Sequence, residues 1–549
     1  MLNRRRSARP VAVPGDERKR RGAWPAPLRL VLPVTLAGAL ILGACSSGSQ
    51  SVAGGSTGSS GVPKAGGALT VALASAFHPI DPLSLATQDD DTIGLAVFGS
   101  LLTHAPDGSL VPDLATGYKV GDSNKQFTIT LRKGVTFQDG TPFNAAAVAF
   151  NLRRDAAPSS GCFCLGDSKN IASVQTSSTD SVTVTLQRPD AAFPDLLAGP
   201  VGMMASPAAV KKEGKQFGLA PVGAGPFKFQ SEVPGSSISF TKFDGYWDQP
   251  KPYLDAVTFK VITDDNSRFA SLESGVIQVD SVLLPTQITA AKSSSNLQVA
   301  SLGGLGTSFV MFNSKAAPFT NLLAREAVTF ATNPQQINKA LYDGTYSMVE
   351  SPWPQQSWAY PGAIVPGYPS YNLAEAKKLV SQLGGLSFTF EVVNTATQLA
   401  LAQALQSQWA AAGIKVKLRP TEITKLIADA KAGTFQAEWF RWQGSYDPDG
   451  NVYSFFLSTS PTNAARLSDP VVDHLLAQER AGTSPAARKP IFKQLAIQLA
   501  KDDVYDYLGA TDQFRASDKT VHGIPTLANG WVDLSGAWMN GLLTAKVKR

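Results

Sequence analysis

Apolar and polar residues alternate in several short segments of this 549-residue chain. In the segment FTITL, Phe127, Ile129 and Leu131 are apolar and the residues between them are polar. Residues 181–189 and 386–393 show a similar alternation. A period of two is typical of a strand with one buried face, so these segments are predicted to be β-strands.

Other segments have the spacing of an amphipathic helix. After Asn144, apolar residues recur at positions 145, 148, 149 and 152, which places them on one helical face. Asn is a favoured N-cap residue, so a helix is predicted to begin after Asn144.

Strands and helices alternate most regularly between residues 370 and 450. Each of the three predicted helices ends at a glycine, namely Gly384, Gly413 and Gly433, and a predicted strand follows each one. This order indicates βαβ units in an α/β protein with a mixed or parallel sheet. Ligands bind beyond the carboxyl ends of strands in such sheets. The loop QGSYDPDGN at 443–451 is therefore the first candidate for a binding site.

The N-terminus has the layout of a secretory signal. Residues 1–29 are rich in Arg and Lys, residues 30–44 are apolar and uncharged, and Cys45 follows. The apolar run is too short to cross a bilayer comfortably. Leu42, Gly43, Ala44 and Cys45 together resemble a bacterial lipobox, which implies cleavage before Cys45 and lipid attachment to its thiol. Residues 45–65 then form a flexible tether rich in Gly and Ser; an ordinary secreted protein with a chance cysteine is the alternative.

Removing residues 1–44 changes the charge balance. The whole chain has 49 basic and 43 acidic residues, and the leader contains 9 of the basic and 2 of the acidic ones. The mature chain therefore has 40 basic and 41 acidic residues. The basic excess therefore belongs to the leader, and the mature chain gives no reason to expect a nucleic-acid partner. The remaining length allows two or three domains with their own cores.

The chain lacks the local signatures of several enzyme classes. It contains no G-x-S-x-G, H-E-x-x-H or P-loop motif, and its four His residues are scattered. With Cys45 lipidated, Cys162 and Cys164 remain, and two extracytoplasmic cysteines favour a disulfide. Metal ligation is the alternative, but a metal needs more donors than this segment supplies. No metal site and no cofactor are predicted.

Ordered motifs along residues 66–545 resemble extracellular solute-binding proteins of family 5, the peptide- and nickel-binding receptors of ABC importers. The most recognisable is LRKGVTFQDGTP at 131–142. Further motifs follow in the family's order, among them GAGPFKF at 223–229, DGYW at 244–247 and DPDGNVYSFF at 447–456.

The resemblance implies a two-lobed fold of the periplasmic-binding-protein type 2 class with an extra domain in the first lobe. Lobe I is expected at 66–300 plus 508–545, with the inserted subdomain at about 111–220. Lobe II is expected at 305–507. Gly303, Gly304 and Gly306 suit a hinge between the lobes, although a plain turn explains them equally well.

The resemblance also suggests where a solute binds. Peptide-binding members place an Asp shortly before the acidic residue and Pro of the strand-end loop, where it pairs with the peptide's ammonium. Here that position falls on Gly444 or Ser445, which is a departure from the pattern. Asp447 and Asp449 are the nearest carboxylates, and both suit turn capping as well as ligand contact.

Aromatic and imidazole side chains complete the candidate site. Trp442 directly precedes the loop and Tyr446 lies within it, and both are expected either to contact the solute or to pack in the core. Trp353, in a Pro-rich segment, is a candidate for covering the cleft. His78 lies in an early loop and is a candidate for facing it, with simple solvation as the alternative.

The leading interpretation is a monomeric, lipid-anchored receptor on the extracytoplasmic face of the cell membrane. It would capture oligopeptides or dipeptides for the transmembrane subunits of an ABC permease. The same fold could instead bind an oligosaccharide, a nickel chelate, haem or an opine. A surface hydrolase is the third hypothesis, and the chain shows no local signature for it.

Overall fold

The computed structural model describes residues 61–540. The predicted signal, Cys45 and most of the tether lie outside the described residues, as do residues 541–545 of the predicted first lobe. Among the described residues, no helix combines the length and the apolar character needed to span a bilayer.

Strands and helices are numbered here in chain order. The strands are β1 Ala68–Leu73, β2 Leu102–His104, β3 Leu110–Pro112, β4 Ala115–Gly121, β5 Gln126–Leu131, β6 Ile171–Ser178, β7 Ser181–Leu186, β8 Phe227–Val233, β9 Ser237–Lys242, β10 Ala256–Val261, β11 Val279–Asp280, β12 Leu297–Gly303, β13 Thr307–Phe312, β14 Tyr346–Ser347, β15 Leu386–Val393, β16 Ile414–Thr421, β17 Ala437–Arg441, β18 Tyr505–Thr511, β19 Gln513–Asp518, β20 Val521–His522 and β21 Trp538–Met539. The α-helices are α1 Gln88–Phe98, α2 Ala145–Ala156, α3 Leu165–Ser168, α4 Phe193–Leu196, α5 Pro207–Glu213, α6 Asp265–Glu273, α7 Pro285–Ser293, α8 Leu322–Ala331, α9 Pro334–Leu341, α10 Leu373–Gln382, α11 Ala396–Ala411, α12 Ile423–Ala432, α13 Tyr453–Phe456, α14 Pro470–Ala481 and α15 Pro485–Asp502. Short 3-10 segments occur at Pro200–Gly202, Gly214–Leu219 and Pro448–Asn451.

Lobe I is built on a seven-stranded mixed sheet with the order β12-β19-β11-β1-β10-β9-β8. Strand β1 pairs in parallel with β10 and β11, and the other pairs are antiparallel. Alternate residues of β1 and β10, such as Val71 and Phe259, are buried in one core.

The extra domain within lobe I has a four-stranded antiparallel sheet with the order β4-β5-β7-β6. Phe127, Ile129 and Leu131 point into its core, as the alternation predicts. Helix α2 packs against this core, and Asn144 caps it by accepting a hydrogen bond from the amide of Ala147.

Lobe II contains a six-stranded sheet with the order β14-β18-β13-β17-β15-β16. Strand β15 pairs in parallel with both β16 and β17, which is the βαβ arrangement expected for residues 370–450. All six residues of β13 are buried, because the sheet is covered by an apolar core on each face.

The chain crosses between the two large sheets twice. The first crossing lies between Gly303 and Thr307, and the second lies between Thr511 and Gln513. The expected second boundary at 507/508 is therefore wrong. Strand β18 pairs with β13 from Tyr505 to Ala510 and so belongs entirely to lobe II.

Candidate functional site

The loop after β17 lies directly against the first crossing between the lobes. A Cβ atom on Gly306 would lie 2.0 Å from the carbonyl oxygen of Trp442, and one on Gly444 would lie 2.0 Å from the carbonyl carbon of Leu305. Gly444 also has a φ of +90°. Both positions therefore require glycine, because any side chain would collide with the backbone of the other segment.

Asn451 holds this contact in place. Its side-chain amide donates to the carbonyl oxygens of Leu305 and Pro352, each at 3.1 Å, and its Oδ1 accepts from the amide of Ser445 at 3.0 Å. The crossing segment and the site loop are thus tied by one buried side chain.

A cavity of about 370 Å³ lies where lobe I, the extra domain and lobe II meet. Lobe II contributes the loop residues Gly444, Ser445 and Tyr446. The other lining residues are Leu85, Ala86, Asp91, His104, Phe163, Cys164, Asp195, Leu196, Gly199, Pro200, Val201, Asn529 and Trp531. The carboxyl end of β17 opens onto this cavity, in agreement with the position expected for a ligand in such a sheet.

Asp195 of the extra domain is bound from two sides. Its Oδ1 lies 2.8 Å from Nε2 of His104, and its Oδ2 accepts a hydrogen bond of 3.0 Å from Oγ of Ser445. Both of its oxygens are engaged, so Asp195 joins the extra domain to lobe II at the cavity wall.

Tyr446 closes the same wall. Its ring stacks on His104 with the ring centres 4.2 Å apart, and its hydroxyl accepts a hydrogen bond of 2.7 Å from the amide of Ala528. Burial raises the pKa of Tyr446 to about 12. Tyr446 therefore lines the cavity, and its contact with a solute stays a prediction.

Behind Tyr446 and Asp195 lies a second cleft of about 450 Å³ between the extra domain and lobe II. Its other lining residues include Tyr118, Trp358 and Asp447. Tyr446 and Asp195 line both spaces.

The expected roles of Asp447 and Asp449 need correction. Both oxygens of Asp447 accept hydrogen bonds from Arg488, at 2.6 and 2.7 Å, and Asp447 also caps the 3-10 segment through the amide of Asp449. Asp449 is buried and forms a bidentate ion pair with Arg480, whose Nε and Nη2 donate to the two carboxylate oxygens at 2.9 and 2.6 Å. Burial alone would raise the pKa of Asp449, but Arg480 outweighs it and the pKa is lowered. Neither residue lines the 370 Å³ cavity.

The two tryptophans also have structural positions. Trp442 is 4% exposed and packs among Phe309, Phe455 and Tyr505 in a core of lobe II. Trp353 is fully buried, and its Nε1 donates to the carbonyl oxygen of Pro448 at 2.9 Å. The expectation that either ring faces the solute is corrected: they support the site loop from the core side.

His78 is likewise engaged elsewhere. Its Nδ1 lies 2.9 Å from Oδ2 of Asp90, and its ring lies near Phe163, with ring centres 5.9 Å apart. It is not among the residues that line the cavity. The structure therefore places His78 behind the rim of the cavity rather than in it.

Cys162 and Cys164 are joined by a disulfide in the structure, with their Cα atoms 5.0 Å apart. Cys164 and the intervening Phe163 line the cavity, and Phe163 lies under Lys431 of lobe II. Whether the exported protein is oxidised here stays a prediction. Within residues 61–540, no group of three or more His, Cys, Asp or Glu side chains is arranged to hold a metal ion.

Contacts between the extra domain and lobe II surround the cavity. Asp190 pairs with Arg480 at 2.9 Å, and the side chain of Asn124 donates to the carbonyl oxygens of Arg480 and Gly482. Together with the bond between Ser445 and Asp195, these contacts join the extra domain to lobe II beside the cavity.

The sequence analysis did not single out Asp91, His104, Asp195, Asn529 or Trp531, which contribute polar groups to the cavity wall. One signal was available for Asp91. It is the last of three consecutive acidic residues that follow the helix-capping residue Thr87. Capping needs only one or two acidic residues near a helix start, so a third one is a signal for another role.

Two α/β lobes that are joined by two short crossings and share a cavity between them have the architecture of a two-lobed solute-binding protein. Residues 109–464 match the sequence profile of bacterial extracellular solute-binding proteins, family 5. The chain belongs to this family. It is therefore an extracytoplasmic solute receptor of the type that serves ABC importers, and not an enzyme.

Individual relatives agree with this assignment. The chain is 31% identical over 470 residues to the glutathione-binding protein GsiB of Salmonella choleraesuis, covering 83% of this chain and 91% of that protein. Its structure is similar to that of AgaA from A. tumefaciens R10 in complex with agropinic acid, with a TM-score of 0.79 and 26% identity over 86% of this chain and 99% of the other. It also has the fold of DppA from Helicobacter pylori in complex with the peptide STSA, with a TM-score of 0.79 and 23% identity over 87% and 99% of the two chains.

Proposed function

We propose that this protein captures a short peptide, or a solute built like one, and delivers it to an ABC permease. The observation that supports this most is the 370 Å³ cavity, which has walls from both lobes and from the extra domain. A relative that shares 31% of its residues over most of both chains is named as a glutathione-binding protein, which favours the same chemical class here.

The cavity volume limits the size of the solute. Pockets for small organic ligands range from about 300 to 1,000 Å³, so 370 Å³ is near the lower end. We expect a solute of two or three residues. A longer peptide would have to extend past Tyr446 and Asp195, which line both spaces, into the second cleft.

Capture proceeds by closure of the lobes. The solute is favoured in the closed state because only that state brings Ser445 and Tyr446 of lobe II to the lobe I wall. The pairs that join the extra domain to lobe II then hold the cavity shut. The closed form is the one presented to the permease.

A non-peptide solute is the second candidate. The structure leaves no free carboxylate in the loop at 443–449, since Asp447 and Asp449 are both paired with arginines. The similar structure of AgaA is a complex with agropinic acid, which suggests an opine-like compound as the alternative.

The proposal includes a lipid anchor at Cys45. A basic segment, an apolar run and small residues precede this cysteine in the order that a lipoprotein signal requires. Two or more acyl chains would hold the protein stably on the membrane. The Gly- and Ser-rich segment after Cys45 would let the receptor reach its permease.

Mass spectrometry of the purified, undenatured protein tests the proposed solute class. We expect a co-purifying compound of the mass of a di- or tripeptide or of glutathione, and calorimetry with that compound should show one site per chain. Agropinic acid serves as the comparison ligand. Binding of agropinic acid without binding of any peptide would contradict the peptide assignment and support the second candidate.

A further inference from the structure

Three consecutive acidic residues, Asp89, Asp90 and Asp91, lie in the first turns of helix α1, and the first two are held by other residues of the chain. Asp90 accepts hydrogen bonds from the amides of His78, Ala86 and Thr87. Asp89 accepts from the amide and the hydroxyl of Ser75, at 3.1 and 3.0 Å. These two carboxylates fix the loop before α1 to the start of the helix.

The third carboxylate differs. Asp91 is only 7% exposed, yet its Oδ1 has no hydrogen-bond partner among residues 61–540. Trp531 donates a hydrogen bond to the carboxyl group, and both residues line the cavity between the lobes. Burial raises the pKa of Asp91 well above its usual value, and the charge of Asp90 adds to this. A buried carboxylate oxygen without a partner is costly, which indicates that its partner comes from outside the chain.

The remaining cavity wall does not supply that partner. Among the described residues that line the cavity, none is Lys or Arg. Asp195 is already held by His104 and Ser445. The cavity therefore has one acidic group available and no fixed cation to neutralise it.

We propose that Asp91 accepts the primary ammonium group of the bound solute, which for a short peptide is its free amino end. This proposal rests on the proposed function, since it specifies how the same cavity recognises a peptide. It also locates the acid on lobe I, at the first turn of α1, whereas the resemblance led us to expect it near Gly444 and Ser445. The N-terminus of α1 favours the ionised form of Asp91 once the ammonium is in place.

The test uses a pool of di- and tripeptides that includes glutathione, together with the same pool after N-acetylation. Undenatured mass spectrometry of the wild-type full chain with each pool shows which compounds bind. Calorimetry with the tightest amine-bearing compound then compares wild type, Asp91→Asn and Asp89→Asn. The last variant is the matched control, because Asp89 is buried in the same helical turn but does not line the cavity.

We expect the native pool to bind and the acetylated pool not to bind. Asp91→Asn should weaken binding by about 10- to 150-fold, the loss expected for one charge-assisted hydrogen bond. Asp89→Asn should leave the affinity within about threefold of wild type, even if the melting temperature falls, because Asp89 binds Ser75 and does not line the cavity.

Three results would overturn the proposal, and they differ in whether the proposed function survives. If both pools bind equally well, or if Asp91→Asn binds as wild type does, the peptide receptor stands but Asp91 is not its ammonium site. If neither pool binds, the proposed function fails, and the assignment of Asp91 fails with it.

Discussion

Arg480 of helix α14 and Asp190 of the extra domain form a buried ion pair across the two lobes, with Nη1 of the arginine 2.9 Å from Oδ2 of the aspartate. Arg480 also pairs with Asp449 in its own lobe. The same residue therefore connects the site loop, through Asp449, to the extra domain. If the lobes separate to release solute, as proposed, this pair breaks, and its formation then contributes to the free energy of solute capture.

Replacing Asp190 with Asn should weaken solute binding. The variant keeps the hydrogen bond from the amide of Ala192 but loses the charge opposite Arg480. Loss of about 2 kcal/mol in the closed state corresponds to an affinity about 30-fold lower, measured by calorimetry. Asp180→Asn is the control, since Asp180 pairs with Lys133 at the surface of the same domain. Equal affinities for wild type and Asp190→Asn would show that this pair does not contribute to closure.

Trp442→Ala should lower stability and leave solute affinity almost unchanged. Trp442 packs among Phe309 and Tyr505 in the core, and truncation of such a side chain costs about 3–5 kcal/mol. Trp531→Ala should instead lower solute affinity more than stability, because the ring of Trp531 lies in the cavity wall. Thermal unfolding and calorimetry on both variants measure the two effects. If Trp442→Ala retained its stability and lost binding, Trp442 would be a solute contact after all.

Glu438 should make lobe II less stable at alkaline pH. It is fully buried in β17, and both of its carboxylate oxygens have no hydrogen-bond partner in the described part of the chain. Burial, with repulsion from Glu391 and Asp429, raises its pKa from 4.5 to about 9. Because the folded pKa exceeds the unfolded one, the folded state binds this proton more tightly. The resulting stabilisation is complete below pH 4.5 and is lost as the pH rises towards 9.

Glu438→Gln tests this sign, because glutamine cannot ionise. The melting temperature of the variant relative to wild type should rise between pH 5 and pH 8.5, values chosen on either side of the neutral range. Glu273→Gln, at an exposed position of α6, is the control and should show no such trend. A difference between Glu438→Gln and wild type that is the same at both pH values would contradict the assignment.

Cys45→Ala should release the protein from the membrane. Without the thiol there is no lipid attachment, and the described residues contain no helix able to span the bilayer. Fractionation of cells expressing each form, followed by immunoblotting, measures the change. Retention of the variant in the membrane fraction would show that Cys45 is not the anchor.

Local sequence patterns predicted the elements of lobe II well. The alternating segment 386–393 is strand β15, and Gly433 ends α12 in the left-handed conformation. Asn372 caps α10 by accepting from the amide of Glu375. These features depend on neighbours within a few residues, and such neighbours are visible in the sequence.

The site could be predicted only in part, because contacts with residues far away in the sequence decide which of its polar side chains are already paired. Asp447 is at the expected loop, but Arg488, 41 positions further along, takes both of its oxygens. Asp91 differs from Asp89 and Asp90 only through the cavity and Trp531, which is 440 positions away. No local pattern distinguishes the three acids, so the sequence could indicate the loop at 443–451 as a candidate site but could not single out Asp91.

A crystal structure of the protein with its tightest peptide-type solute tests the central claim most directly. The account predicts density for the solute in the cavity between the lobes, with its ammonium at Asp91 and with Ser445 and Tyr446 on the opposite side. Density confined to the second cleft beside Tyr118 and Trp358, with the solute's amine at Asp447 and the cavity free of it, would contradict the account.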